Sequence, residues 1–343
     1  MDSSQRGQKL TASRRAFGIG AISTAALLGS GYGSSSVLRA QQPLTYPVRP
    51  VRIVVPYAAG GAPESMLRLI AKRVEDETGA VLLIENRPGA GGTIGAASVK
   101  QSPPDGYTLL QGDFATHGTN VSLFKNLPYD AIADFEPVTQ LYATRSFLLV
   151  PTSLKVSTVK ELYELAKTKP GGLTYASPGV GSGGHIGVAM LAKAFGTPMT
   201  HIPYRGTAPA RTDVLAGRVD FIFLSLQLFL GDIDAGTVKA LAAASEQRSP
   251  TQPSVPTMAE EGYPDVILQN WFGLFAPSGT DMAILDKLNA MFSKAGHDPT
   301  LVNAAANSGF SIRPTSRAEF SSFVKQQIEA MGRVVRENNM QIQ

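Results

Sequence analysis

The feature that most constrains the fold is a regular alternation of short apolar runs with longer amphipathic runs. Residues 51–56 and 81–84 are typical of buried strands, and residues 65–77 between them place apolar side chains on one face of a predicted helix. Strands that alternate with helices in this way pair in parallel and are covered by helices on both faces. The alternation therefore predicts an α/β fold.

A second series of strands and helices follows an irregular segment at 113–143, in which Pro128 and Pro137 interrupt regular structure. Two strand-like runs, 147–151 and 270–277, bracket this second series. If the chain leaves one lobe along the first run and returns along the second, two adjacent strands form a hinge. A simple tandem of two α/β domains is the alternative. The bracketed arrangement predicts lobe 1 at 44–148 plus 272–343, and lobe 2 at 149–271.

The first 40 residues are predicted to be an export signal rather than part of the fold. A basic start, an apolar stretch at 17–28 too short to span a bilayer, and a Gly/Ser-rich stretch follow the plan of a secretory leader. The run "SRRAF" at 13–17 is similar to the twin-arginine type. A disordered extension is the alternative. A twin-arginine or Sec signal at 1–40 predicts a periplasmic protein.

The charge of the chain depends strongly on that leader. Five of the 31 basic residues but only one of the 27 acidic residues lie in segment 1–40, so the remainder is neutral on average. Nucleic-acid binding needs a clustered basic face, and none is indicated. The chain has no cysteine, which excludes disulfides, thiolate catalysis and cysteine-ligated metals.

A glycine-rich turn raises the question of a dinucleotide site. The stretch "SPGVGSGG" fits G-x-G-x-x-G through Gly179, Gly181 and Gly184, between a strand-like run and a helix-like run. A nicotinamide site also needs an acid about 20 residues further on. The corresponding position is near Tyr204-Arg205 and has no acid, although an arginine suits a 2′-phosphate. An exported NADP-dependent oxidoreductase therefore stays open as a hypothesis.

The same turn also suits a small anion. A helix N-terminus offers unpaired N–H groups and a partial positive charge, and glycines allow close approach to the backbone. The stretch "PYAAGGAPESMLR" at 56–68 is a second strand end, glycine turn and helix start. If the two lobes face each other, both N-termini point into one cleft. Hydroxyl donors for a carboxylate there are predicted from Ser177, Ser182, Thr116 and Tyr57.

Catalytic and metal sites are not indicated. The sequence has no G-x-S-x-G element and no G-x-x-x-x-G-K-[ST] loop, and its four histidines lack metal-binding spacing. His185, in the first turn of the predicted helix, is a candidate for the cleft, whereas His201 is predicted to be structural. Arg205 is interpreted either as an anion contact or as a solvated side chain. No catalytic residue, metal or cofactor is therefore predicted, and the chain is not expected to be an enzyme.

Several motifs together carry a more specific resemblance. The stretches "YPVRPVRIVVPYAAGGAPESMLR" (46–68), "ENRPGAGGTIGA" (85–96), "PPDGYTLL" (103–110), "YRGTAPARTDVLAGRVDFIF" (204–223) and "SVPTMAEEGYPD" (254–265) stand in this order. They resemble the Bug family, the periplasmic solute receptors of tripartite tricarboxylate transporters. The similarity runs from about residue 44 to the C-terminus without large gaps.

The resemblance implies a type II periplasmic-binding-protein fold, with two α/β lobes joined by a two-strand hinge. It implies a receptor, expected to be a monomer, that binds a small organic carboxylate (a di- or tricarboxylate, or an aromatic acid) in the interlobe cleft. Delivery to the permease subunits of a tripartite transporter is the implied role, and a ligand sensor for a signalling kinase is the alternative. The predicted ligand-binding residues are Tyr57, Ala58, Ala59, Gly60, Thr116, Ser177, Gly179, Gly181, Ser182, His185, Tyr204 and Arg205.

Four positions depart from the family pattern. Two prolines often stand where this chain has Ala58-Ala59, and an aspartate where it has Glu64, and both changes are mild. Leu224 stands where many members have an aspartate that could pair with a ligand ammonium group. The sequence therefore favours an unsubstituted or aromatic carboxylate over an amino acid.

Overall fold

The computed structural model describes residues 45–338 and residue 340, so the predicted export signal at 1–40 lies outside the described residues. These residues form a mixed α/β structure. Its strands are β1 (Val51–Val55), β2 (Leu82–Asn86), β3 (Thr108–Asp113), β4 (Phe135–Arg145), β5 (Phe147–Pro151), β6 (Leu173–Ser177), β7 (Met199–Pro203), β8 (Phe221–Leu224), β9 (Val238–Ala243), β10 (Gln269–Pro277) and β11 (Phe310–Ile312).

The helices lie mostly between these strands. They are α1 (Ala62–Thr78), α2 (Thr93–Lys100), α3 (Asn120–Leu123), α4 (Val159–Thr168), α5 (Gly183–Phe195), α6 (Thr207–Leu215), α7 (Leu230–Asp234), α8 (Met282–Gly296), α9 (Pro299–Asn307) and α10 (Arg317–Glu337). None of these helices has both the length and the apolar character that a bilayer crossing needs.

The strands form two sheets. The first has the order β11-β4-β10-β3-β1-β2, and the second has the order β7-β6-β8-β5-β9. Strands joined by helices pair in parallel as predicted, because β1 runs parallel to β2 and β3, and β6 to β7 and β8. The sheets are nevertheless mixed, since β10 is antiparallel to β3 and β4, and β5 is antiparallel to β8 and β9.

The chain passes between the two sheets twice, along strands that lie side by side. Only Ser146 separates β4 in the first sheet from β5 in the second. The return enters the first sheet as β10, which pairs with β4 along its whole length. The Asn270 side-chain amide donates a hydrogen bond to Ser146 Oγ at 2.8 Å and so ties the two crossings together. We propose that this pair marks the hinge; the lobe boundaries at 148/149 and 271/272 stay a prediction.

The C-terminal helix packs on the first sheet. Phe320 of α10 lies against Gly273 of β10, where an added Cβ would meet the phenyl ring at 2.0 Å. Trp271 is 1% exposed and contacts Phe320 and Phe323 edge-on. Ser316 and Glu319 form a capping box at the start of α10. Helix α10 therefore packs against β10 of the first sheet.

Candidate functional site

A cavity of about 60 Å³ lies between the loops of the first sheet and those of the second. From the first sheet its wall includes Tyr57, which follows β1, and Asp113, which ends β3. From the second it includes Ser182 after β6 and Gly206 after β7. These loops follow the carboxyl ends of parallel strands, which is where open α/β sheets bind ligands.

Three helices begin at this cavity. The residues that precede α1, α5 and α6 are Gly61, Ser182 and Gly206, and all three lie on the wall. The first N–H groups of a helix have no partner within the helix and carry a partial positive charge. Among the described residues, the wall includes no Lys, Arg or His side chain. The cavity therefore offers an anion backbone N–H groups and helix ends instead of a cationic side chain.

Two glycines allow α5 to begin this close to the sheets. An added Cβ at Gly183 would lie 1.8 Å from Asn270 Oδ1, and one at Gly184 would lie 2.7 Å from the carbonyl oxygen of Phe223. A Cβ atom does not approach another non-bonded atom this closely, so a side chain at either position would displace its neighbour or the helix. The glycines seat the N-terminus of α5 between β8 and β10.

Three of the twelve predicted residues, Tyr57, Ala58 and Ser182, lie on the cavity wall. The side chains of the other nine are directed elsewhere or are absent. Of these, Ala59 and Gly60 are exposed at the tip of their loop, Arg205 is exposed, and the Tyr204 hydroxyl donates to Asp213 at 2.6 Å. The nine residues off the wall are Ala59, Gly60, Thr116, Ser177, Gly179, Gly181, His185, Tyr204 and Arg205.

Ser177 and His185 belong to a buried polar group behind the glycine turn. Ser177 is fully buried and its hydroxyl lies 2.7 Å from His201 Nε2. The rings of His185 and His201 stack at 4.1 Å, and His185 Nδ1 accepts a hydrogen bond from the Gly181 amide. Burial lowers the pKa of His185 to about 4 and the pKa of His201 to about 3. The predicted Ser177 donor and His185 candidate therefore brace the turn from behind.

Thr116 is also fully buried, and its hydroxyl donates to Asp113 Oδ1 at 2.9 Å. The same oxygen accepts the amides of Ala115 at 3.1 Å and Thr116 at 2.9 Å. The Tyr57 hydroxyl donates to Asp113 Oδ2. Burial is the main cause that raises the pKa of the Asp113 carboxyl, and burial beside Asp113 raises the pKa of Tyr57. Thr116 therefore serves the wall indirectly, through an acid that sequence reasoning did not select.

Several residues of the cavity wall are not among those predicted from the sequence. Asp113 ends β3, a position where polar side chains often face a ligand, whereas the sequence pattern predicted that an irregular segment begins at residue 113. Gly206-Thr207, at the start of α6, form a third helix N-terminus without a G-x-G pattern. Phe272 and Phe310 supply an apolar floor and both pack on Tyr142, with ring centroids at 4.7 and 5.4 Å.

Loops from the two sheets touch around the cavity. Thr119 Oγ1 donates to the carbonyl oxygen of Gly181 at 2.6 Å, and Gln227 Nε2 donates to Thr144 Oγ1 at 3.2 Å. An added Cβ at Gly206 would lie 3.4 Å from the Ala58 side chain. These contacts close the space between the loops, which explains the small volume. Within residues 45–338, no three acidic or histidine side chains are grouped so that they could hold a metal ion.

Comparison with known proteins places this architecture among solute receptors. A family model described as "Tripartite tricarboxylate transporter family receptor" matches residues 66–340. Protein BugT of Bordetella pertussis is 33% identical over 299 residues, which cover 87% of this chain and 92% of BugT. The solved periplasmic binding protein BugD is 32% identical with a TM-score of 0.82, and the match covers 87% of this chain and 100% of BugD.

Two further solved structures contain ligands. Rpa4515 of R. palustris, solved with adipate, is 31% identical with a TM-score of 0.83, and the match covers 86% of this chain and 98% of that one. MatC (Rpa3494) from Rhodopseudomonas palustris, solved with bound malate, is 33% identical with a TM-score of 0.80. That match covers 84% of this chain and 100% of MatC. Both similar proteins were therefore solved with an aliphatic dicarboxylate.

Proposed function

This chain belongs to the tripartite tricarboxylate transporter receptor family, as its motifs predicted, and we propose that it captures a small organic carboxylate in the cavity between its two sheets. The observation that carries the proposal is the meeting of three helix N-termini on a wall that, among the described residues, includes no cationic side chain. Helix N-termini are ready-made sites for anions. The adipate and malate in similar receptors support a carboxylate as the anion here.

In such a site, hydrogen bonds and helix N-termini offset the cost of desolvating a carboxylate without a cationic side chain. Taking a carboxylate out of water costs several kcal/mol. Each charge-assisted hydrogen bond returns about 1.5–3 kcal/mol, and each helix N-terminus about 0.3–2 kcal/mol. Two or three N–H donors at the ends of three helices are therefore sufficient to offset the cost of desolvation.

The volume of the cavity favours a short ligand. A cavity needs roughly 10–15 Å³ for each water that it holds, so about 60 Å³ corresponds to roughly four to six waters. Those waters occupy about 120–180 Å³ as liquid, since each takes about 30 Å³. A short aliphatic acid or a single-ring aromatic acid displaces a volume of this size, whereas a larger acid would require the loops to separate.

The alternative enzymatic hypothesis is not supported. In the turn that fits G-x-G-x-x-G, an added Cβ at Gly181 would lie 2.5 Å from Asn120 Oδ1, and Gly184 packs against the Phe223 carbonyl. Protein groups therefore occupy the space beside the glycines that a pyrophosphate would need. We therefore propose that this chain acts as a receptor and not as an enzyme. The hypothesis of a sensor for a signalling kinase also gains no support from the family or the similar proteins.

The finer biological setting is part of the proposal. The similar solved protein BugD is a periplasmic binding protein, and we place this chain in the same compartment. Export through the twin-arginine or Sec signal at 1–40 would bring it there. The family description supports delivery of the ligand to membrane permease subunits, and we propose that the receptor acts as a monomer.

Ligand binding is tested by thermal unfolding of protein freed of co-purified ligand by unfolding, dialysis and refolding. A panel of short-chain carboxylates is compared with the amides of the same acids, which lack the negative charge. An acid present at 100 times its Kd is expected to stabilise the protein by about 2.7 kcal/mol and raise Tm by several degrees. The amides should leave Tm unchanged. The proposal is wrong if no acid in the panel raises Tm.

The N-terminus of α5 gives a second test. Ser182 Oγ accepts from the His185 amide at 3.4 Å and donates to the Gly179 carbonyl at 2.6 Å. Ser182→Ala is expected to cost about 1 kcal/mol of stability and to weaken the binding of the acid that the panel identifies. The matched control is Thr158→Ala, which removes the cap of α4 away from the cavity. Urea unfolding should show a similar cost for both variants, and calorimetry should show weaker binding for Ser182→Ala alone.

A further inference from the structure

A carboxyl group lies on the wall of a cavity that is otherwise suited to an anion. Asp113 is 4% exposed and lines the cavity beside Tyr57. Its four hydrogen-bond partners are all uncharged: the Tyr57 hydroxyl, the amides of Ala115 and Thr116, and the Thr116 hydroxyl. An acid in this position repels a second negative charge and attracts a positive one. Asp113 therefore bears directly on which carboxylates the cavity accepts.

The two carboxylate oxygens of Asp113 accept different numbers of hydrogen bonds. Oδ1 accepts three donors at 2.9–3.1 Å and has no remaining capacity. Oδ2 accepts only the Tyr57 hydroxyl and can take another donor. Because the Tyr57 hydrogen is committed to Asp113, the Tyr57 oxygen can only accept. Towards a ligand, this pair therefore offers acceptors and no donor.

The rest of the wall has the opposite character. The helix N-termini before Gly183 and Thr207 offer N–H donors, and Leu224 and Phe272 offer apolar surface. A ligand that fits both regions has a carboxylate at the helix ends and a proton donor against Asp113. A plain dicarboxylate dianion has no donor for Asp113 and brings a second negative charge into the same cavity.

We propose that Asp113 is the specificity-determining residue of this receptor and selects carboxylates that also carry a proton-donating group over plain dicarboxylates. An ammonium group is the stronger partner, since it alone brings a positive charge to the acid; a hydroxyl group is the weaker one. The inference rests on the proposed function. Leu224, at the end of β8, suggested a preference for unsubstituted or aromatic acids over amino acids. The inference reverses that preference, because Asp113 at the end of β3 supplies an acid to the same cavity.

The substitution Asp113→Asn removes the negative charge and keeps the hydrogen bonds that hold the local fold. The asparagine carbonyl oxygen can accept the donors that Oδ1 accepts now, so the turn at 113–116 is kept. The asparagine amide would then donate to the Tyr57 oxygen in place of the present bond. The matched control is Asp281→Asn at the N-cap of α8, where Asn and Asp cap equally well and the cavity is not involved. Thermal unfolding without ligand checks that both variants fold.

The experiment is calorimetric titration with three acids of one carbon skeleton: aspartate, malate and succinate. If longer acids bind better, 2-aminoadipate, 2-hydroxyadipate and adipate replace them. In the wild type we expect the amino acid to bind most tightly and the unsubstituted acid least. Asp113→Asn should lose about tenfold to hundredfold in affinity for the amino acid and gain several-fold for the unsubstituted acid. Asp281→Asn should keep the wild-type order.

Two negative outcomes have different meanings. If the unsubstituted acid binds the wild type as tightly as the amino acid, and Asp113→Asn changes neither affinity, then Asp113 does not set specificity although the receptor proposal stands. If no acid binds either protein in the titration or in the thermal panel, the proposed function fails and the inference fails with it.

Discussion

Replacing Gly184 by alanine is expected to weaken ligand binding at least tenfold and to lower the free energy of unfolding by about 1–3 kcal/mol. The new Cβ would lie 2.7 Å from the carbonyl oxygen of Phe223, which is fixed in the middle of the second sheet. The helix must therefore move, and α5 would withdraw its first N–H groups from the cavity. Calorimetry with the acid identified by the panel measures the first effect, and urea unfolding measures the second.

The sign of this effect is set by the close contact and not by helix propensity. Alanine is favoured over glycine in a helix by about 1 kcal/mol, so an unobstructed site should gain stability from the same change. Gly231 in α7 is such a site, because it is exposed and an added Cβ there would meet no atom within 4 Å. Gly231→Ala is expected to bind ligand normally and to be as stable as the wild type or slightly more stable. Normal binding by Gly184→Ala would show that the position of α5 does not matter.

Most of the fold could be predicted from the sequence, because the pattern of apolar residues that marks strands and helices depends on neighbouring positions. The strand and helix alternation and the bracketing strands at β5 and β10 both depend on neighbouring residues. The prediction of an irregular segment over all of 113–143 was wrong, since β4 begins at Phe135. Pro137 donates no hydrogen bond, and it pairs with Phe275 beside a register shift at which Val138 of β4 has no partner in β10.

The candidate site was predicted only in part because it depends on which loops meet. The N-termini of α1 and α5 are marked by glycine turns in the sequence, so Tyr57, Ala58 and Ser182 were selected. Asp113 reaches the cavity only because β3 lies next to β1 in the first sheet, and strand order is not written in local pattern.

Hydroxyl groups were the least predictable part of the site. Thr116 and Ser177 were expected to face a ligand, but both are fully buried and bond to Asp113 and His201. A buried hydroxyl must find a partner inside the protein. The sequence identifies the donors but does not identify which partners burial will bring within reach.

Acid is expected to destabilise the protein well before its carboxylates are protonated. Burial lowers the pKa of His117 to about 3, of His185 to about 4 and of His201 to about 3. A histidine takes up a proton near pH 6.5 in the unfolded chain, so the unfolded state binds more protons below that pH. The stability that these residues contribute is therefore fully present above about pH 6.5 and is lost as the pH falls towards 4. For fully buried His117 alone, the loss at pH 5 is about 2 kcal/mol.

Other ionisable groups change the free energy of unfolding only slightly between pH 6.5 and 5. Acids whose pKa is lowered by hydrogen bonds, such as Glu64 and Glu319, lose their contribution only below their unfolded pKa of about 4.5. Asp113 acts with the opposite sign, because its raised pKa makes the folded state take up a proton first, but it is one group against three. The histidines are therefore expected to dominate the pH dependence in this window.

The measurement is the free energy of unfolding in urea at steps between pH 7.5 and 5, compared between the wild type and His201→Gln. Glutamine can keep a hydrogen bond to Ser177, which lies 2.7 Å from His201 Nε2, but it cannot take up a proton. The wild-type curve should fall steadily below pH 6.5, and the variant curve should fall less steeply by about one proton per molecule unfolded. A wild-type curve that stays flat down to pH 5 would mean that these rings already carry protons in the folded protein. Such a charged, stacked pair would repel, and the turn that presents α5 to the cavity would then owe its position to other contacts.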